Sequence, residues 1–334
     1  MSEPHVAVLG GGSWGTTVAA LVTRNTGVTL WARNPDTVRE INEKHTNETY
    51  LPGANLPEKL VASSDLAEVV AKAEVLVMAI PSQHFRSVLT EVAEHLRPGV
   101  PVISLTKGLE MPTNLRMTEV INEVLPEHPA GILTGPNLAR EIMAGKAAAS
   151  VIAMEDEGML LLLQPLFHTS LFRVYTNTDV IGCELGGVLK NIIAIAVGMG
   201  DGMGAGDNTR AALITRGLAE MTRLGVAMGG QAETFAGLAG MGDMIATCTS
   251  PQSRNHHVGM ELGKGRKMQD IIDDMFMVAE GVKSAPAVLA LAEQHGIEAP
   301  MVHDVSSVLA GEATASRVFR SLLRLEAGAE SEPG

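Results

Sequence analysis

A lysine and an asparagine interrupt the segment Gly186–Val197, GGVLKNIIAIAV, which otherwise reads as the buried centre of a helix. Burying an ammonium group is costly unless a partner compensates it, and a lysine in such a run often snorkels to water instead. The rest of the chain offers Lys190 other company. Asp243 and Thr247 lie four residues apart in GLAGMGDMIATCTSPQSRNHHVG, so on a helix they face the same way. Ser253 then reads as an N-cap, with Arg254 and Asn255 in the first turn of the helix it opens. A guanidinium, an amide and open backbone N–H groups at one point suit a phosphate; a capped surface helix carries the same pattern. His256 and His257 have no partners at metal-ligand spacing and are expected on the helix surface, and no metal site is expected.

The second constellation is Gly10-x-Gly12-x-x-Gly15, between an apolar strand and a helix beginning near Trp14. In that setting the glycines permit a tight turn, close backbone approach to a pyrophosphate, and helix–strand packing. The helix N-terminus adds N–H groups and the positive end of a dipole. The chain is therefore expected to bind a dinucleotide. Discrimination between NAD and NADP falls about twenty residues further on, where an acidic residue would hold the ribose of NAD. Here the second strand ends in Arg33, whose guanidinium suits a 2′-phosphate, so NADP is preferred and NAD possible. Arg33 stacking on adenine while Asp36 meets the ribose is the alternative. Ligands in open α/β sheets collect beyond the carboxyl ends of strands. Lys107, in Thr106-Lys107-Gly108, and Gly135-Pro136-Asn137 occupy such ends.

A proton donor beside a hydride carrier and an anion cradle is the equipment of a dehydrogenase. A partly desolvated lysine has a lowered pKa and can protonate a carbonyl oxygen near neutrality. Two other readings remain: a related β-hydroxyacid-type dehydrogenase acting on an unphosphorylated acid, or an NAD(P)-sensing module without catalysis. The net charge of −13 argues against nucleic acid or an anionic membrane as the main partner. Cys183 and Cys248 are the only cysteines, too few for a disulfide framework. No cleaved signal is expected from MSEPHVAVLGGG, and the apolar runs Val75–Ile80 and Ile192–Val197 are too short to span a bilayer. A cytoplasmic protein is expected, with no membrane insertion.

The elements that must position these groups follow from periodicity. HVAVLG, GVTLWAR, EVLVMAIPS, VPVISLTKG and AGILTGPN are short apolar runs without alternation, as in strands covered on both faces. Helical patterns such as Phe85–Leu96 and Asn114–Leu125 separate them, and AAASVIAM and LFRVYTN add final strands. Alternation of this kind predicts an α/β, doubly wound, mostly parallel sheet. After about Asp179 long helical patterns take over, NTRAALITRGLAEMTRLGVAMG among them. The expected division is a dinucleotide-binding domain over 1–178, an all-helical substrate domain over 179–325, and a disordered tail over 326–334.

These motifs resemble those of the bacterial NAD(P)-dependent glycerol-3-phosphate dehydrogenases. The matching stretches are VLGGGSWGTTVA, SLTKGLE, GPNLAREIMAG, ELGGVLKNIIAIAVGMGDG, NTRAALITRGLAEM, LAGMGDMIATCTSPQSRN and VAEG. The resemblance implies reversible reduction of dihydroxyacetone phosphate to sn-glycerol 3-phosphate for phospholipid synthesis, a Rossmann-type N-terminal domain, an all-helical C-terminal domain, and a homodimer. It makes Lys190 the general acid, Lys107 a group touching substrate and cofactor, and Asp243 an orienting group. Gly135, Asn137, Asn191, Thr247, Ser253, Arg254 and Asn255 would line the substrate. Gly10, Gly12, Ser13, Trp14, Gly15, Arg33, Ala139, Arg254, Val278 and Glu280 would lie along the cofactor. One segment departs from the family pattern: Asn137-Leu138 follows Gly135-Pro136 where Ser or Thr and Phe are usual, and Lys146-Ala147-Ala148 replaces a Pro-Thr.

Overall fold

A computed structural model describes residues 4–275 and 279–322. The chain divides into two compact units, Met1–Val180 and Ile181–Gly334. The first unit alternates strands and helices in the order β1 (Val6–Leu9), α1 (Ser13–Val22), β2 (Val28–Trp31), α2 (Pro35–Lys44), β3 (Val61–Ser63), α3 (Leu66–Ala71), β4 (Val75–Met78) and α4 (Ser82–Ala93). It continues with β5 (Val102–Ser104), α5 (Met117–Val124), β6 (Ala130–Thr134), α6 (Ala139–Met143), β7 (Ala148–Met154), α7 (Glu157–Phe167) and β8 (Phe172–Asn177).

The strands form one sheet in the order β3-β2-β1-β4-β5-β6-β7-β8. Every neighbouring pair is parallel except β6 with β7, so the doubly wound, mostly parallel sheet expected from the sequence is present. Strands β1 and β4 do not alternate in hydrophobicity because both faces are covered, whereas the edge strand β8 alternates, with Arg173 and Tyr175 exposed. Val6, Val8, Leu30 and Val77 enter one buried cluster with Leu163 and Phe172. Ala7, Leu9, Leu76 and Met78 enter another with Phe85 and Leu89. Strand β3 was not among the expected strands. It is three residues at the sheet edge, VAS, too short to display a strand period in the sequence.

The described part of the second unit is helical. It comprises α8 (Val180–Gly202), α9 (Asp207–Ala227), α10 (Ala232–Ala236), a π-helical turn (Leu238–Gly242), α11 (Asp243–Thr249) and α12 (Arg254–Gly263). It ends with α13 (Met268–Asp273), α14 (Glu280–Gln294), α15 (Pro300–Leu309) and α16 (Ala315–Leu322). One expectation needs correction here. The apolar runs are individually short, but α8 joins its run to flanking small residues and is long and apolar enough, by length and composition, to cross a membrane. Almost all of it is buried within the fold, the usual position of a core helix. Both cysteines, Cys183 on α8 and Cys248 on α11, are buried thiols outside any disulfide. The tail over 326–334 and Val278 lie outside the described residues.

Candidate active site

In the first unit the candidate site is built from backbone. Gly10 has φ +123°, a conformation that L side chains rarely adopt, and a Cβ there would meet the Ala79 carbonyl oxygen at 2.4 Å. A Cβ on Gly15 would meet the Gly10 carbonyl oxygen at 2.0 Å. These two glycines are demanded by the fold itself. Gly12 differs: a Cβ there would meet nothing within 4 Å, and its backbone is ordinary extended chain. Neither packing nor conformation requires glycine at this position, and the space left open lies at the N-terminus of α1. That helix start has no side-chain cap and no acidic residue in its first turn. The arrangement fits a pyrophosphate approached by backbone N–H groups.

A segment the sequence reading did not single out secures this loop. Asn47 is fully buried, and its Nδ2 donates to the Gly11 carbonyl at 2.9 Å and to Thr16 Oγ1 at 3.0 Å. The Ser13 hydroxyl donates to the Tyr50 carbonyl at 2.9 Å, so its side chain is committed to the same segment. Trp14 stacks obliquely on Phe172, with ring centroids 6.2 Å apart. Arg33 is exposed just beyond β2, while Asp36 is turned to Arg39 at 3.2 Å. On the loops after β5 and β6, Lys107 Nζ donates to the Gly135 carbonyl at 2.8 Å. Asn137 Nδ2 donates to Ser150 Oγ at 3.1 Å, and its Oδ1 is buried without a partner. Ala139 starts the short α6 next to this loop.

In the second unit the candidate site is built from buried side chains. Lys190 is 6% exposed and Asp243 2%. Lys190 Nζ lies 2.5 Å from Asp243 Oδ1 and donates to Thr247 Oγ1 at 2.8 Å. Thr247 Oγ1 donates in turn to the Asp243 carbonyl at 2.6 Å. The lysine therefore does not reach for water; a carboxylate compensates its charge inside the fold. The approach depends on Gly186, one turn earlier on α8, where a Cβ would meet the Ala239 carbonyl oxygen of the π turn at 2.6 Å. The π turn delivers Asp243 to the start of α11, and such turns often mark functional positions.

The neighbouring amides interlock. Asn255 Nδ2 donates to Asn191 Oδ1 at 2.9 Å, and Asn255 Oδ1 accepts the Gly281 N–H at 3.0 Å. Gly281 belongs to the first turn of α14 beside Glu280, and a Cβ on it would meet the Asn191 carbonyl oxygen at 2.8 Å. Ser253 caps α12, its hydroxyl accepting the His256 N–H at 3.2 Å. Arg254 occupies the first position of that helix. Its side chain retains accessible surface, yet partial loss of hydration against the surrounding chain pushes its pKa below the ordinary value, opposed by the nearby Glu280 carboxylate. His256 corrects the sequence reading. It is not a surface residue: its Nε2 donates to Asp201 Oδ2 at 2.7 Å, and both side chains are 13% exposed. The structure thus joins Lys190, Asp243 and Thr247 in one cluster and Asn191, Asn255 and Gly281 in a second, with Lys190 and Asn191 adjacent on α8. Among the described residues no cluster of His, Cys, Asp and Glu suits a metal ion.

Two family models match the chain. One, described as NAD-dependent glycerol-3-phosphate dehydrogenase N-terminus, covers residues 5–160, and its C-terminal counterpart covers 179–320. The chain belongs to the NAD-dependent glycerol-3-phosphate dehydrogenase family. Within that family it is 69% identical to glycerol-3-phosphate dehydrogenase [NAD(P)+] 2 of Sphingopyxis alaskensis, over 98% of this chain and 99% of the relative. It is 52% identical to glycerol-3-phosphate dehydrogenase [NAD(P)+] of Mycobacterium avium, over 97% and 95% of the two chains. The crystal structure of the glycerol-3-phosphate dehydrogenase from Coxiella burnetii superposes with a TM-score of 0.92 at 37% identity, covering 97% of this chain and 99% of that one.

Proposed function

We propose that this member of the glycerol-3-phosphate dehydrogenase family catalyses the reversible NAD(P)H-dependent reduction of dihydroxyacetone phosphate to sn-glycerol 3-phosphate. The observation that carries the reading is the buried amine of Lys190, held between Asp243 and Thr247. Bound NAD(P)H supplies the hydride. Lys190 gives a proton to the carbonyl oxygen at C2 in reduction and takes it back in oxidation. Asp243 compensates the ammonium before transfer and fixes where the proton stands; Thr247 restricts the amine to one approach. Arg254 and Asn255, at the capped start of α12, hold the substrate phosphate with the backbone N–H groups of that turn. Asn255 Nδ2 has a second hydrogen beyond the one given to Asn191.

In the first unit, Gly12 and the start of α1 take the pyrophosphate, with Gly10, Ser13, Trp14 and Gly15 shaping the turn. Lys107, Gly135, Asn137 and Ala139 contribute to substrate and cofactor from the loops after β5 and β6. Glu280 and Val278 complete the cofactor set. Arg33 selects NADP, which is preferred over NAD. A homodimer working in the cytoplasm and supplying glycerol 3-phosphate for phospholipid synthesis belongs to the same reading.

The direct experiment follows loss of reduced-nicotinamide absorbance with dihydroxyacetone phosphate, using NADPH and NADH in parallel. Turnover with both, faster with NADPH, is expected. Arg33→Ala should narrow that preference. Absence of turnover with either cofactor would overturn the reading.

A further inference from the structure

We propose that Asp201 and His256 are positioning residues that hold the anion-binding turn of α12 and so set the affinity for phosphorylated substrate. The inference rests on the assignment of Arg254 and Asn255 to the phosphate. Two neighbouring residues of α12 reach along α8 in opposite directions: Asn255 to Asn191, and His256 to Asp201. Those anchors stand roughly 15 Å apart along the α8 axis. A turn braced at both ends cannot rotate freely, and Arg254 precedes the braced pair in the same turn.

The Asp201 anchor is itself fixed. Arg210, from the first turn of α9, donates Nε to both Asp201 oxygens at 3.0 and 3.1 Å and reaches Asp207 at 2.5 Å. The carboxylate accepts from α9 and α12 together, so the end of α8, the start of α9 and the start of α12 share one charged centre. His256 also spends its backbone on the turn, its N–H closing the Ser253 cap.

The helices carrying these anchors touch backbone to backbone. A Cβ on Gly198 would meet the His256 carbonyl oxygen at 2.2 Å, and one on Gly202 the Met260 carbonyl oxygen at 2.1 Å. From the other side, a Cβ on Gly259 would meet the Ile195 carbonyl oxygen at 2.1 Å, and one on Gly263 the Met199 carbonyl oxygen at 2.3 Å. With four glycines removing the side-chain cushion, α12 cannot slide over α8 without a backbone clash. The polar anchors then fix rotation of its first turn. The distance from the Lys190 amine to the phosphate cradle thereby becomes a property of helix packing.

The test is steady-state kinetics of His256→Leu, which removes the bond while Arg210 still compensates Asp201. The KM for dihydroxyacetone phosphate should rise about tenfold, below the roughly 100-fold that a 1 Å misplacement can cost. The kcat at saturation and the Kd for NADPH should stay within about twofold. For unphosphorylated dihydroxyacetone, kcat/KM should not change, and His256→Gln, which restores a neutral donor, should recover most of the affinity. Should His256→Leu fail to fold, His256→Asn, too short to reach Asp201, carries the same expectations. An unchanged KM, or equal losses with both substrates, overturns the proposal. Arg254→Ala is run beside it: a steep KM rise there with none at His256 overturns only the positioning role, whereas no rise in either overturns the phosphate assignment as well.

Discussion

The glycine loop of the first unit and the lysine cluster of the second reach specific chemistry by opposite means. The loop works by omission: Gly10 and Gly15 are required by the fold, and Gly12 leaves open space, where the proposed function puts a ligand's charge. The cluster works by enclosure: an ammonium, a carboxylate and a hydroxyl are taken out of water and satisfied by one another. In the function proposed above, a ligand at the loop meets a surface made of N–H groups, while a substrate at the cluster meets one proton in one direction. Backbone suits a multiply charged phosphate that every binding event presents alike. A side chain with a compensating partner suits a proton that must move.

The largest effect that separates them is expected at Lys190. Lys190→Ala should lower kcat by a factor on the order of 10²–10⁴ while NADPH still binds, read by stopped-flow and by cofactor fluorescence. The same variant removes the cation beside the buried Asp243 carboxylate, which costs about 3–5 kcal/mol, so its melting temperature should fall as well. Near-normal turnover would dissolve the contrast. Next comes Gly12→Ala, whose Cβ enters the open space without touching the protein. NADPH affinity should drop at least about tenfold, or 1.4 kcal/mol, with an unchanged melting temperature. A loss of stability instead would mean that Gly12, like Gly15, serves the fold.

Much of the fold was legible because it follows from short-range rules. Apolar runs ending in glycine mark strands buried on both faces, and Lys190 stands out because a charge in such a run breaks a local rule. What stayed hidden depends on distant partners. His256 looks like a surface residue until Asp201, on another helix, is brought against it. Asn47 sits in HTNETYLPG, where nothing announces burial, yet it carries the Gly11 carbonyl. The sequence LAGMG has no periodicity that would separate a π turn from a loop. The four glycines of α8 and α12 read locally as helix weakeners, and only the crossing shows that they permit contact.

The smallest expected effect lies at Glu220, a buried residue of α9 remote from this contrast in its role. Its carboxylate accepts the N–H groups of Met301 and Val302 at 2.9 Å each, capping α15. Burial pushes its pKa above the ordinary 4.5, outweighing the two backbone hydrogen bonds. A raised value in the folded state means the group's contribution is fully present below the unfolded value and is lost as pH rises through the folded one. The melting temperature of the native protein relative to Glu220→Gln should therefore decline across that interval. The substitution itself should cost about 1 kcal/mol. A pH-independent difference would show that the carboxylate titrates alike in both states.

The two thiols offer a last consequence. Cys183 and Cys248 both belong to the helical unit, both are sealed from solvent, and burial pushes the Cys248 thiol up to about 12. Since the thiolate is the reactive form, neither sulfur is available to an alkylating reagent while that unit stays shut. The rate at which the native chain consumes such a reagent is then a clock for the breathing of its helices, built in without any engineered label.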